Sequence, residues 1–427
     1  MGGVAGHLSH LQENLNFTFG EIKSVLEQVA SGEMEAVEKV DGQNIFFTYN
    51  AEAGDVRTAR NPGDIKSGGM SPAALLQKFK NHPAEAAFVN GFKTIERAIM
   101  SLSEADRVAA FGENGDTYVN AEIMYPSNPN IIVYDGNYIV MHNASAFDAD
   151  GNGTPVPENF GSIVSAMETA EDQVDAESWQ VKGPQAAALK DITDGSAYAD
   201  FLSELSQAAP GASDDMTLGD YVEEKLRTGP VGDIPIPVHK QEQLIKRIIG
   251  LGLGTPGDDL PSMRDLKSGQ PKDVQKRISA IATKVNSRKV IGAQLKPIEI
   301  AIHNFAVEVL RGMQSFFVSD QEGELARQRE ELEQAVREIE AAKDAGGDAR
   351  RDTLQRQLSK LGDIENIAST MEGVVFEHPP GSNQLYKLTG TFAPANQIVG
   401  GARRMPKEQN EALLRNYISE RLAIMVG

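Results

Sequence analysis

Cysteine is absent from all 427 residues. That excludes disulfides, thiolate metal sites and a cysteine nucleophile, and it fits a cytoplasmic protein. Aromatic residues are sparse, and the single tryptophan, Trp179, reads as core rather than as a stacking platform. No run approaches the roughly 18 apolar residues that a membrane span requires. The opening MGGVAGHLSHLQEN has no charged segment followed by an apolar one, so no secretory signal is expected. Gly6 stands where a myristoylation signal carries Ser or Thr. The histidines show no His-x-x-x-His spacing, so no zinc site is expected. Positive charge is also short: the net charge is −20, which argues against broad, non-specific binding to phosphate backbones.

The charge is unevenly spread. Residues 160–225 are strongly acidic, whereas residues 239–311 carry thirteen Lys and Arg against seven Asp and Glu. A local basic face on an acidic body is compatible with a polyanionic partner. The length suits one large domain with an insertion, or two to three domains.

Apolar spacing predicts a helix over 8–32. A β-rich run, Val37 to Tyr49, then reads as a hairpin with a returning strand over 56–60. Residues 72–110 read as helical, and 118–124 and 131–141 as strands. From 158 to 368 the pattern is helical, and it includes a charged stretch at 320–361 that breaks at Gly346-Gly347 into a helical hairpin. Strands return at 373–376 and 385–388, and a last helix is expected at 407–425. The simplest architecture is α+β, with a sheet split by a long helical insertion. Its parts are an N-terminal piece at 1–157, the insertion at 158–368 and a C-terminal piece at 369–427.

The chemistry centres on Glu38-Lys39-Val40-Asp41-Gly42-Gln43-Asn44. Lys-x-Asp-Gly alone is also an ordinary turn, because Asp-Gly favours hairpins. Four further blocks follow in order: Arg60-Asn61, then Asn120-Ala121-Glu122-Ile123, then Glu372-Gly373-Val374-Val375-Phe376, then Tyr386-Lys387-Leu388. Together these resemble the motifs of the covalent nucleotidyltransferases, which include ATP-dependent DNA and RNA ligases and capping enzymes. The stretch 139–142 falls where that family carries a base-stacking ring, supplied here by Tyr138 or His142.

The resemblance implies a ligase-type nucleotidyltransferase fold built of ATP-grasp-like antiparallel sheets. It implies ATP and Mg²⁺ as cofactors. Lys39 would be the nucleophile that attacks the α-phosphate and expels pyrophosphate. Lys387 would bind that phosphate and supply a cation that lowers the Lys39 pKa, since a free lysine near 10.4 is protonated and inert. Glu122 would contact ribose, and Glu122 and Glu372 would hold metal. Glu38, Asp41, Gly42, Asn44, Arg60 and His142 would complete the nucleotide site. The lysyl-AMP would pass AMP to a nucleic-acid 5′-phosphate, held through the basic region 239–311, before sealing by a 3′-hydroxyl.

Several features depart from that pattern. Ala121 replaces the usual glycine, and Leu388-Thr389 follow Lys387 where a second lysine is common. About 250 residues separate Glu122 from Glu372, and 40 follow Lys387, too few for the C-terminal OB domain of DNA ligases. Asn44 stands where many DNA ligases have arginine, which tilts the expectation toward RNA ligase. The opening GGVAGHLSHL with EKVDGQN also resembles proteins of tailed phages. Two other expectations remain open: nucleotidyl transfer to a protein or small molecule, including capping-type guanylyl transfer, and a catalytically inactive nucleotide-binding or structural protein.

Three other stretches invite a functional reading. The loop-like run at 61–70 would place Lys66 over a nucleotide or serve as a connector. The acidic turn at 148–153 imitates the start of an EF-hand, but it lacks the closing glutamate and reads as a polar turn. The glycines at 250–254 read as a hinge.

Overall fold

The β-rich run after Glu35 breaks at Asp41-Gly42 and feeds two different sheets. β1 (Ala36–Lys39) lies in a three-stranded antiparallel sheet, while β2 (Gln43–Asn50) lies in a larger one. The hairpin expected over this whole run is therefore only β2 with β3 (Asp55–Ala59). A computed structural model describes residues 8–149, 151–171, 179–344 and 367–402, and it shows a mixed α and β fold.

The larger sheet continues with β4 (Thr117–Met124), β5 (Asn137–Phe147) and β6 (Gly153–Pro155), in the order β3-β2-β4-β5-β6. β7 (Trp179–Lys182) pairs with β5 in parallel, so a strand lies within the stretch expected to be helical. The smaller sheet holds β1, β8 (Gly373–Glu377) and β9 (Leu385–Thr389), in the order β1-β8-β9. Sequence separation does not prevent this pairing: Lys39 lies opposite Gly373.

Strand alternation sorts the faces. On β2, Ile45, Phe47 and Tyr49 are buried against α3 (Pro72–Phe79), α4 (Glu85–Ser101), α5 (Glu104–Phe111) and α6 (Pro157–Glu171). The opposite face carries Asn44, then Phe46 in a small apolar cluster with Tyr118 and Phe147. On the small sheet, Ala36, Val374, Phe376, Tyr386 and Leu388 face a large core. That core is shared with α1 (Phe19–Ala30) and the helices α7 (Ala197–Ala208), α8 (Leu218–Thr228), α9 (Val238–Gly252), α10 (Met263–Lys267), α11 (Lys272–Ile281) and α12 (Lys284–Leu310). The insertion thus folds onto the sheet that carries Lys39. α13 (Gln321–Asp344) and α14 (Phe392–Ala402) form a third apolar cluster with Val40, Ile131, Ile132 and Tyr134.

Several boundaries differ from expectation. The first helix starts at Phe19, because Thr18 caps it: Thr18 Oγ1 accepts from the Glu21 N–H at 3.1 Å and the Thr18 N–H donates to Glu21 at 2.8 Å. The strand expected from 131 begins at Asn137; the N–H groups of Ile131, Ile132 and Val133 bond to carboxylates instead of a neighbouring strand. The loop at 61–70 contains α2 (Pro62–Lys66), capped by Asn61. Of the glycines expected as a hinge, Gly250 and Gly252 end α9, packed against Leu260 and Ile291, where a Cβ at either would lie 2.4 Å from those side chains, and Gly254 follows the helix with φ 84°. Asp148 accepts the Asn152 N–H at 2.8 Å, a polar turn. Trp179 is half-buried and stacks on Tyr125 at 5.5 Å. The second arm of the 320–361 hairpin and the helix expected at 407–425 lie outside the described residues.

Candidate functional site

The two sheets face each other across a cleft of about 1210 Å³, and Lys39, Asn44, Glu122, His142, Glu372 and Lys387 line it. Alternation on the small sheet explains the lining. Val37 and Lys39 of β1, Val375 and Glu377 of β8, and Leu385 and Lys387 of β9 share its cleft face. The larger sheet contributes Asn44, Asn120, Glu122, His142 and Asn143. The stretch Gly183 to Leu189 runs beside β1, with the Glu38 N–H donating to Gln185 O at 2.8 Å and the Ala187 N–H to Ala36 O at 2.9 Å. Pro184 and the following alanines thereby wall the cleft.

Lys39 is the last residue of β1 and Glu372 immediately precedes β8. Their pairing sets Lys39 Nζ 2.6 Å from Glu372 Oε2, with both side chains 15% exposed. Burial pulls the Lys39 ammonium down, but Glu372, Glu122 and Asp41 overcome it and raise the group above the ordinary lysine value. The expectation of a depressed lysine is not met by the protein groups alone, because three carboxylates surround it. Lys387 is lowered, first by burial and then by Lys39. Glu372 is raised by burial and by Glu122, against the pull of Lys39 and Lys387. Glu122 is raised mainly by burial, opposed by Lys39 and by the Gly42 N–H.

Asp41 and Gly42 form a clamped turn. The Asp41 carboxylate accepts N–H bonds from Ile131 at 2.7 Å and Ile132 at 3.1 Å, and one from Asn130 Nδ2 at 3.2 Å. Burial and Glu372 nevertheless push it up to about 6. The Gly42 N–H donates to Glu122 Oε2 at 2.6 Å. A Cβ on Gly42 would lie 2.9 Å from Glu122 Cβ and from Ile123 O, so this position requires glycine for close approach.

His142 is placed by a β-bulge. Asn120 pairs with Asn143 and Ala121 with Met141, which leaves His142 as the extra residue. The bulge turns both His142 and Asn143 into the cleft. His142 Nε2 lies 3.9 Å from Glu122 Oε1 and has no hydrogen-bond partner among the described residues. Burial, with Lys39 beside it, pushes the imidazole down to about 4, so it is neutral at pH 7. Tyr138, the other candidate for this position, is buried against Phe317 at 4.9 Å and does not line the cleft.

The remaining predicted residues divide. Asn44 lines the cleft and donates to Asn120 Oδ1 at 2.6 Å. Arg60 lies behind it: its Nη1 donates to the Asn44 carbonyl, and its guanidinium covers the Phe88 ring at 4.6 Å. Burial lowers Arg60 while Glu122 and Asp64 oppose, and arginine stays charged. Glu38 does not face the cleft. It points to the other side of β1 and accepts from Ser315 Oγ and from the Phe316 N–H at 2.8 Å. Lys66 lines a separate pocket with Thr48, Arg57 and Asp148, beyond the apolar cluster around Phe46.

Sequence reasoning missed Asn120, Asn143 and the acidic lip of the cleft. Asn120 was legible, two residues before Glu122 on a strand and so on the same face. Asn143 was not, because the bulge breaks strict alternation. Glu33, Glu35 and Glu377 form the lip. With Glu122 and Glu372 they give five lining carboxylates against two lysines.

Of the thirteen basic residues at 239–311, five are engaged. Lys240 donates to Asp265 O and Ser268 O, Arg247 to Pro261 O, and Arg277 to Asp233 O. Lys296 pairs with Glu299 and Arg311 with Glu308. Lys284, Arg288 and Lys289 are exposed along the first turns of α12, where no acidic residue precedes Glu299. They make no ion pair among the described residues.

Glu122 and Glu372 are hard oxygen donors. No cluster of three or more His, Asp or Glu able to hold a metal occurs among the described residues. Two carboxylates suit Mg²⁺, which completes its shell with water and substrate phosphate, better than a Ca²⁺ cage. No described helix is long and apolar enough to cross a membrane. In comparisons with known proteins, no family model and no curated protein matches the chain.

Proposed function

We propose that this protein is an ATP-dependent nucleotidyltransferase of ligase type that forms a covalent lysyl-AMP on Lys39. The observation that carries the reading is the convergence of Lys39, Glu122, Glu372 and Lys387 in one cleft between the two sheets. In this reading Lys39 Nζ attacks the α-phosphorus, the new bond is P–N, and the bond broken is the P–O bond to departing pyrophosphate. The amine must first lose its proton, and Glu372 Oε2 at 2.6 Å is positioned to receive it. Lys387 offers charge to the α-phosphate. Asp41 and Gly42 fix the turn after the nucleophile, and the Gly42 N–H holds Glu122 Oε2, which leaves Oε1, 3.9 Å from His142 Nε2, as the oxygen that would contact a ribose. Mg²⁺ held by Glu122 and Glu372 would supply positive charge that offsets their hold on the Lys39 ammonium.

The favoured acceptor is a nucleic-acid 5′-phosphate, supported by exposed Lys284, Arg288 and Lys289 on the first turns of α12, ahead of its first acidic residue, Glu299. A second acceptor class, a protein or small molecule, is favoured by the acidic lip, which repels polyanions. The deciding experiment incubates the protein with α-labelled ATP or GTP and Mg²⁺, then runs a denaturing gel with Lys39→Ala alongside. An acid-labile label that is absent from the variant supports the mechanism and names the nucleotide. No label with any nucleotide or divalent metal, from protein freed of bound AMP, leaves a binding or structural role.

A further inference from the structure

We infer that the helical insertion positions the nucleophile loop, and that Arg327, Glu324 and Tyr134 are the residues through which α13 holds Lys39 in place. This rests on the nucleotidyltransferase reading for its catalytic consequence, though the positioning itself is a matter of geometry.

The contacts run in series. On α13, Arg327 forms a bidentate pair with Glu324, Nε to Oε2 and Nη2 to Oε1, both at 2.7 Å. Arg327 Nη1 adds Glu331 at 2.9 Å. From this fixed unit two bonds cross to the segment before β5. Glu324 Oε1 accepts the Val133 N–H at 3.1 Å, and Arg327 Nη2 donates to the Ile131 carbonyl. The same segment grips the nucleophile loop. The N–H groups of Ile131 and Ile132 donate to Asp41, and the Asp41 N–H donates to Tyr134 Oη at 2.6 Å. Ile131 therefore receives α13 on its carbonyl and holds Asp41 with its N–H.

Two further links join the same parts. Val40, between Lys39 and Asp41, is wholly buried in the apolar cluster that includes Leu332, Ala335 and Ile339 of α13. Glu38, on the other side of Lys39, is bonded to Ser315 and Phe316 in the α12–α13 connector. The connector is tied to the same segment, since the Asp135 N–H donates to Phe317 O at 3.1 Å and the Ser319 N–H to Asp135 at 2.6 Å. Lys39 is thus flanked on both sides by residues fixed to the insertion, while its own amine alone enters the cleft. Fixing a reacting atom to within a fraction of an ångström is where positioning groups act on rate. Glu324 is only 7% exposed, and a buried carboxylate that bonds backbone N–H while paired to arginine has few alternative arrangements.

The test uses the full chain and three variants: Tyr134→Phe, Arg327→Ala and the conservative Arg327→Lys. Tyr134→Phe removes one hydroxyl and carries the test should Arg327→Ala not fold. Two readouts are taken on protein whose melting temperature shows it folded: amide hydrogen exchange in the 39–44 loop, and covalent nucleotide capture. Exchange in that loop is expected to rise about fivefold or more in Tyr134→Phe and Arg327→Ala while distant helices are unaffected. The capture rate is expected to fall about tenfold with the nucleotide KM within about threefold, and Arg327→Lys to recover part of it. Folded variants with loop exchange and capture rate both at wild-type values would overturn the inference. Faster loop exchange in a protein that captures no nucleotide would support the positioning while defeating the nucleotidyltransferase reading.

Discussion

Lys39 Nζ and Glu372 Oε2 lie 2.6 Å apart because β1 and β8 pair in register, Lys39 opposite Gly373. The pair joins the two ends of the described chain and sets the resting charge of the candidate nucleophile. Glu372→Gln keeps the shape and removes the charge. In the variant the Lys39 ammonium loses its largest upward influence and falls toward or below the ordinary lysine value. Capture of labelled nucleotide is nonetheless expected to drop by about 10²-fold or more, the scale for losing a charged group from a phosphoryl site. Nucleotide capture across pH 6–10 measures both; an unchanged rate would remove Glu372 from the chemistry.

His142 gives the fold a pH dependence of known sign. Its folded pKa, about 4, lies below the unfolded value near 6.5. The stability it contributes is complete above the unfolded value and is lost as pH falls through the folded one. Asp41 works the other way: raised to about 6, it favours the fold at low pH and loses that contribution as pH rises through 6. Comparing wild type with His142→Gln isolates the histidine. The variant is expected to gain on wild type by up to about 3 kcal/mol between pH 7 and pH 4, read by denaturant unfolding at each pH. A difference that stays constant with pH would mean the imidazole is not held neutral.

Gly42→Ala tests the close approach of the Asp41-Gly42 turn to β4 of the larger sheet. The added Cβ meets Glu122 Cβ and Ile123 O at 2.9 Å, and the neighbour that must yield includes backbone. Overpacking of this kind costs about 1–3 kcal/mol. Capture should fall as well, because the Gly42 N–H bond to Glu122 lengthens. A melting curve and a capture assay side by side check it; wild-type behaviour in both would show that the turn can open freely.

The basic face of α12 makes a salt-dependent prediction. Changing Lys284, Arg288 and Lys289 together to Gln should weaken binding to a labelled single strand. Each cation that neutralises a phosphate contributes about 0.7 to the salt slope on a single strand, so the slope should shrink by roughly two. Titrations at several salt concentrations measure it. Binding with an unaltered slope would move the polyanion elsewhere, and no binding by wild type would favour the second acceptor class.

Much of the site was legible in the sequence. Lys39, Asp41, Gly42, Asn44, Glu122, Glu372 and Lys387 are marked by residue type and order, and His142 was among two candidates. These residues could be picked out because residue type and strand alternation are local properties of the sequence. Glu38 illustrates the limit. It adjoins Lys39, but strand alternation turns it to the opposite face, where only the insertion offers Ser315 and Phe316. Lys66 illustrates another: its helix was hidden in a turn-rich stretch, and its distance from the cleft depends on where the sheet ends.

The sequence by itself determined the local elements with strong periodicity, the glycine at the turn after Lys39 and the order of the candidate site residues. Only the tertiary structure decided that β1 and β2 belong to different sheets, that the bulge at His142 puts two consecutive side chains in the cleft, and that three carboxylates keep Lys39 charged. The reason is range. Helix caps and strand alternation act within a few residues, whereas sheet pairing, burial and the summed field at Lys39 depend on groups brought together from both ends of the chain.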